Sequence, residues 1–289
     1  MTSIPGEGKA VLVTGGTRGI GFATAAALIK LGFRVTITGR GQASCDDAAR
    51  ALGPRAKGRA LDLSSLPSIR RFAAALLDED GALHALVNNA GIMSLDKTRR
   101  EAEGGVEMTL ATNVFGPFLL TQLLLDRLRS SAPARIVNVG SRVHLPRSGM
   151  GGEVHWDWDD VMCERSYDPV VVYKNSKLAT MWLTYELDRR LAGSGVTVNA
   201  VCPGFVPETL SEHKEGVSRF FYRHVMSHFP GARTVAEAAA NTVFAVTSAT
   251  YGSKGGAFIG EEHEVEASEQ ARDAEQAARF WALAIERTR

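Results

Sequence analysis

Thr14-Gly-Gly-Thr-Arg-Gly-Ile-Gly21 decides the fold. It follows the Val-rich run Lys9-Ala-Val-Leu-Val13 and precedes Phe22-Ala-Thr-Ala-Ala-Ala-Leu-Ile29, which reads as strand, tight glycine turn, helix. Glycine permits positive φ and lets a ligand lie against the main chain where a Cβ would collide. The N–H groups that open a helix lack partners and carry partial positive charge, so a phosphate is well placed there. The spacing Gly15-x3-Gly19-x-Gly21 is a near relative of the G-x-G-x-x-G dinucleotide fingerprint. Taken alone, the turn is weak evidence for a nucleotide and is read more plainly as a close-packed strand–helix corner.

Working outward, Arg34-Val-Thr-Ile-Thr38 is a β-branched alternating run ending in Gly39-Arg40, the second strand of a βαβ unit. In dinucleotide-binding folds an acidic residue at this place binds a ribose 2′-hydroxyl, whereas arginine accommodates a 2′-phosphate. Arg40, with Arg18 inside the turn as a second planar cation, therefore predicts NADP(H) over NAD. Further strands are expected over Gly58–Leu61, His84–Val87, Ala134–Val139, Val196–Val201 and Gly256–Ile259, with helices between them. Such alternation predicts an α/β fold: a Rossmann-type doubly wound parallel sheet with helices on both faces, residues 1–289 forming one domain. A long helix around Val106 to Ser130 is expected to be distorted near Asn113 and Gly116-Pro117, because proline brings no N–H. Asp273-Ala-Glu-Gln276 has the form of a capping box before a terminal helix.

Two stretches fit no regular element, 142–169 with Trp156 and Trp158, and 205–230 with several aromatics. Long loops inside a compact domain are usually functional. The two tryptophans line a substrate or pin the loop to the body. His224 and His228 stand at i,i+4, yet no third ligand is evident and no metal site is expected.

The formal net charge of +1 gives no reason to expect a nucleic-acid partner. No apolar run approaches the ~18–20 residues of a membrane span, and the first nine residues lack a signal-peptide core. The three cysteines have no paired spacing. A cytoplasmic protein acting on a small molecule is the expectation.

Tyr173 and Lys177 lie four residues apart on a helix expected from Val171 to about Leu191, so they share a face. A neighbouring ammonium stabilises a phenolate and lowers its pKa, the tuning a general acid–base needs. The ordered set Thr14-Gly-x3-Gly-Ile-Gly21, Asn88-Asn-Ala-Gly91, Ser141, Tyr173-x3-Lys177 and Pro203-Gly204 resembles the short-chain dehydrogenase/reductase family over nearly the whole chain. The resemblance implies about seven parallel strands and an NAD(P)-dependent carbonyl/alcohol reaction. It makes Tyr173 the acid–base, has Ser141 bind the carbonyl oxygen, and has Lys177 hold the ribose. Asn113 becomes the anchor of a water leading protons toward the lysine. It further places Gly15, Thr17, Arg18, Gly19, Ile20, Gly21, Arg40, Asp62, Leu63, Asn89, Ala90, Gly91, Pro203, Gly204 and Thr209 about the cofactor. The irregular stretches supply His144, Trp156 and Phe205 as candidates for the substrate side.

Within the family, Ser176-Lys-Leu-Ala179, Glu186-Leu-Asp-Arg-Arg-Leu191 and Val196-Thr-Val-Asn-Ala200 are similar to the retinol dehydrogenase and protochlorophyllide reductase-like branch. The Ser141–Tyr173 separation is longer than usual there, Cys202 stands where that branch commonly has histidine, and Gly140 where it has serine. An NADP(H)-dependent carbonyl reductase or alcohol dehydrogenase for a lipophilic or polycyclic substrate is implied. Reduction of C=N or C=C on the same frame, and an NADP-binding sensor without catalysis, remain open. Family members often form homo-oligomers through their long helices, which the insertion and terminal helix here could block.

Overall fold

The computed structural model describes residues 6–146, 154–208 and 231–289. Its centre is one eight-stranded sheet in the order β3-β2-β1-β4-β5-β6-β7-β8. The strands are β1 (Ala10–Val13), β2 (Arg34–Gly39), β3 (Ala56–Ala60), β4 (Ala85–Asn88), β5 (Ala134–Val139), β6 (Val196–Val201), β7 (Phe258–Gly260) and β8 (His263–Glu264). The first seven pair in parallel, and β8 adds an antiparallel edge of two residues. The sequence implies about seven strands; the eighth is too short to leave a readable pattern of alternation.

Both faces of the sheet are covered, which explains why its strands read as apolar runs. Leu12, Ile136 and Val198 belong to one core, while Val11, Val13, Val137 and Val139 belong to the other. The period of two along each strand thus feeds two separate layers. One face carries α1 (Gly19–Lys30), α2 (Gln42–Leu52) and a later helix, Val235–Thr247. The other carries α3 (Leu66–Leu77), α4 (Met108–Ser130), α5 (Pro169–Arg190) and the terminal helix Ala274–Arg287.

Local chemistry sets the helix ends. Ser65 caps α3 by accepting from the Ser68 N–H, with proline in the first turn. Asp168 caps α5 by accepting from the N–H groups of Val170 and Val171, so the helix starts two residues before Val171. At the terminal helix, Asp273 accepts from Glu275 and Gln276 N–H, but the box is not closed: the Gln276 side chain accepts instead from Trp158 Nε1 at 2.6 Å. The reciprocal box is found at Thr234 and Glu237.

Helix α4 contains a π turn over Ala111–Phe115, at the distortion that Gly116-Pro117 predicts. A Cβ at residue 116 would overlap the carbonyl oxygen of Leu63, so only glycine allows this approach. With 23 residues and a mean hydropathy of 1.4, α4 is long and apolar enough to cross a membrane, correcting the reading that no run approaches that length. In the fold, 78% of that apolar stretch is buried, as for a core helix.

Candidate active site

The sheet order turns back on either side of β1, and the loops after β1 and β4 meet at this switch point. Thr14 bolts them together. Its Oγ1 accepts from the N–H of Asn89 and of Ala90, each at 3.0 Å, and Asn89 Nδ2 donates to the Thr14 carbonyl at 2.8 Å. Gly15 (φ +66°) lies so close to the loop after β4 that a Cβ would sit 2.9 Å from the Ala90 Cα. A Cβ at Gly21 would overlap the Gly15 carbonyl oxygen. Helix α1 then starts at Gly19 with no side chain capping it. Gly15 and Gly21 let the turn pack tightly, and the opening N–H groups of α1 form a cradle suited to a pyrophosphate, so the residues fit a dinucleotide.

Thr17 lies against Gly39, and Arg18 and Arg40 are both exposed on this side. Asp62 Oδ1 accepts from Ser64 N and Oγ at 2.9 and 2.7 Å. The Leu63 side chain is buried in the core, which leaves its backbone for any contact with a cofactor. Ile20 is half-buried in the first turn of α1. Thr209 falls outside the described residues, as do His224 and His228; among the described residues no cluster suited to a metal occurs.

Asn113, Gly91 and Lys177 converge from three elements. Asn113 is locked by a two-way bond to Ile92, accepting from its N–H at 2.8 Å and donating to its carbonyl at 2.9 Å. Its Nδ2 also donates to Ser176 Oγ at 3.2 Å. Four residues on, Pro117 has no N–H to offer the Asn113 carbonyl. A Cβ at Gly91 would lie 3.3 Å from Asn113 Oδ1 and 3.9 Å from Lys177 Nζ.

Lys177 Nζ donates to the Val139 carbonyl at 2.9 Å and lies 5.7 Å from the centre of the Tyr173 ring. Ser141 stands two residues beyond β5, at the start of the turn Arg142–His144, and its Oγ accepts from Val143 N at 3.3 Å. The turn that follows Ser141 packs on α5, the helix that bears Tyr173. Burial pushes the Lys177 ammonium down to about 8. Tyr173 keeps part of its surface open, yet the protein around it, and then the neighbouring Cys202 sulfur, push its phenol up to about 12. The direction is opposite to the one expected from Lys177 alone. Desolvation of the phenolate is the largest cause of the shift.

Lys177 borders a cavity of about 30 Å³, lined also by the polar Asn88, Asn113, Thr121, Asn138 and Thr180 and by apolar residues such as Phe118 and Leu183. Asn88 Nδ2 donates to Asn138 Oδ1 and Thr121 Oγ1, but the buried Asn88 Oδ1 has no protein partner. Such a polar space has room for water. Thr14, Asn88, Thr121 and Asn138 are absent from the sequence-derived site; a polar residue at a strand end could have found Thr14, Asn88 and Asn138, while Thr121, inside α4, left no such signal.

The residues assigned to the substrate side separate. His144 is 1% exposed, with Nδ1 2.5 Å from the Ser141 carbonyl oxygen and its ring edge-on to Phe258. Trp156 packs on Trp158, Trp182 and Phe280. That is the contact set of a pin holding the loop to the body. Phe205 is 38% exposed, beside Pro203 and Gly204.

A family model described as short chain dehydrogenase matches residues 9–151. Human retinol dehydrogenase 13 is 42% identical over 212 residues, an alignment taking in 71% of this chain and 61% of the relative, so the chain spans under two thirds of that protein. Mouse retinol dehydrogenase 14 is 37% identical over 292 residues, covering 95% of this chain and 84% of the relative. Among solved structures, an uncharacterized protein from Mycobacterium paratuberculosis aligns with a TM-score of 0.78 at 30% identity, over 99% of this chain and 95% of that one. A Pseudomonas aeruginosa RhlG/NADP active-site complex aligns with a TM-score of 0.70 at 29% identity, over 88% and 95%. With the glycine cradle, the Asn113–Lys177 convergence and these matches together, the chain belongs to the short-chain dehydrogenase/reductase family, in its retinol dehydrogenase-like branch.

Proposed function

We propose that this protein is an NADP(H)-dependent oxidoreductase that interconverts a carbonyl and an alcohol on a lipophilic small molecule, with Tyr173 as general acid–base. The observation that carries this reading is the placement of Lys177 against both Tyr173 and the Gly91–Asn113 corner of the switch-point crevice. Relatives named retinol dehydrogenase support a lipophilic alcohol or aldehyde as substrate class, and the NADP complex among similar structures supports the cofactor.

In this account the α1 N-terminus and Gly15 hold the pyrophosphate, and Arg18 and Arg40 hold the 2′-phosphate. A nicotinamide held there would supply or accept the hydride. Ser141 Oγ and the Tyr173 hydroxyl orient the substrate oxygen, and hydrogen bonds aimed there gain strength as negative charge develops on it. Tyr173, kept protonated by burial, donates its proton to that oxygen in the reducing direction. Lys177 faces the resulting phenolate, and the polar cavity behind it gives water a route for the replacement proton.

Purified protein assayed with NADPH and NADH against ketones and aldehydes of increasing size tests this reading. Turnover that prefers NADPH is expected. Arg40→Asp should shift the NADPH/NADH preference toward NADH by about tenfold or more, the worth of one charge-assisted bond; unchanged selectivity would refute the 2′-phosphate assignment.

A further inference from the structure

The turn that joins β7 to β8 is built from residues that its backbone disfavours. Glu261 and Glu262 have φ of +57° and +61°. Two consecutive positive φ values in a two-residue hairpin are met without strain by Asn-Gly or Gly-Gly. Non-glycine residues held there carry a conformational cost and persist only where the surroundings over-determine them.

The surroundings do so from three sides. Glu262 N–H donates to Asn241 Oδ1 at 3.1 Å, and Asn241 Nδ2 donates to the Cys202 carbonyl at 2.7 Å. Glu261 Oε1 receives Arg233 Nη2 at 3.0 Å and faces Arg142 Nη1 at 3.5 Å. Arg142 directly follows Ser141. Arg233 N–H donates to the Phe205 carbonyl at 2.8 Å, and its side chain lies so close over Gly204 that a Cβ there would be 2.6 Å from Cδ. A single carboxylate oxygen therefore joins the turn after Ser141 to the backbone at Gly204–Phe205.

We propose that Glu261 is a positioning residue that fixes the distance between these two walls and so sets which carbonyl substrates the site admits. The role in substrate choice rests on the Tyr173-centred reading above. Half-exposed ion pairs add little to stability, and a turn selected for stability alone would carry glycine. A glutamate at positive φ gives up backbone ease for a carboxylate that reaches two guanidinium groups.

Glu261→Gln and Glu261→Gly test this on the full chain, through hydrogen exchange of peptides containing Val143 and Arg233, Tm, and steady-state kinetics on a small and a bulky carbonyl. Both variants should speed exchange in both peptides. Glycine adopts positive φ freely, so Glu261→Gly should hold or raise Tm while changing KM for the bulky substrate about three- to tenfold, with kcat within about twofold. Unchanged exchange in both peptides overturns the proposal, as does a fall in Tm with KM unmoved. Exchange needs no turnover, so a wild-type protein inactive on carbonyls would refute the proposed activity and still leave the spacing role decided by the peptides.

Discussion

Burial moves Tyr173 and Lys177 in opposite directions, and each shift has a measurable consequence. Lys177, held at about 8 against an ordinary 10.5, binds fewer protons in the folded than in the unfolded chain between those values. Stability contributed at this position therefore rises with pH across that window, because the cost of a buried ammonium is present below about pH 8 and relieved above it. The Tm of the wild type should climb relative to Lys177→Met between about pH 8 and pH 10; a flat difference would mean that the ammonium is not desolvated. Tyr173, raised to about 12, shows the reverse and loses its contribution as pH rises above 10. The pairing of these residues was legible in their i,i+4 spacing, since a helix brings such positions together. The direction of the tyrosine shift was not. It depends on how much protein surrounds the phenol, which spacing does not encode.

At the level of elements, the glycine turn and the π turn act as fitted parts. A Cβ at Gly21 meets backbone at Gly15 and the Asn89 side chain, and neither can swing away. Gly21→Ala should cost about 1–3 kcal/mol in chemical denaturation and weaken NADPH binding, measured by titration; retained stability with retained affinity would refute the cradle. Gly116-Pro117 announced the π turn because proline removes an N–H whatever the tertiary context. The bolt from Thr14 to Asn89 and Ala90 was hidden, since it joins residues 75 and 76 positions apart. The same holds for Gln276, whose side chain leaves its own helix end to accept from a tryptophan far away in the chain. Local patterns disclose the elements, and long-range polar bonds appear only once the sheet has assembled.

Across the whole molecule, the terminal helix and the Trp-rich segment share one aromatic core with the site's supporting helices. Phe280 is fully buried and touches Phe115 in the π turn, Trp156 in the long loop and Trp182 on α5. Phe280→Ala should cost about 3–5 kcal/mol in denaturant unfolding. Because Phe115 lies two residues from Asn113, kcat should fall as well; a loss below about 1 kcal/mol would show that the helix is not part of the core. The apolar positions Phe280, Trp281 and Ala284 make this helix amphipathic, and nothing in that pattern names Trp156 as its partner. The account as a whole stands on Tyr173, and one comparison tests it most directly: oxidation of NADPH with formation of the alcohol from a lipophilic ketone or aldehyde, by wild type and by Tyr173→Phe. The predicted result is turnover by the wild type and a loss of about 10²–10⁴-fold in kcat for the variant with NADPH affinity retained; equal turnover by the two proteins, or none by the wild type on any carbonyl tested, would contradict it.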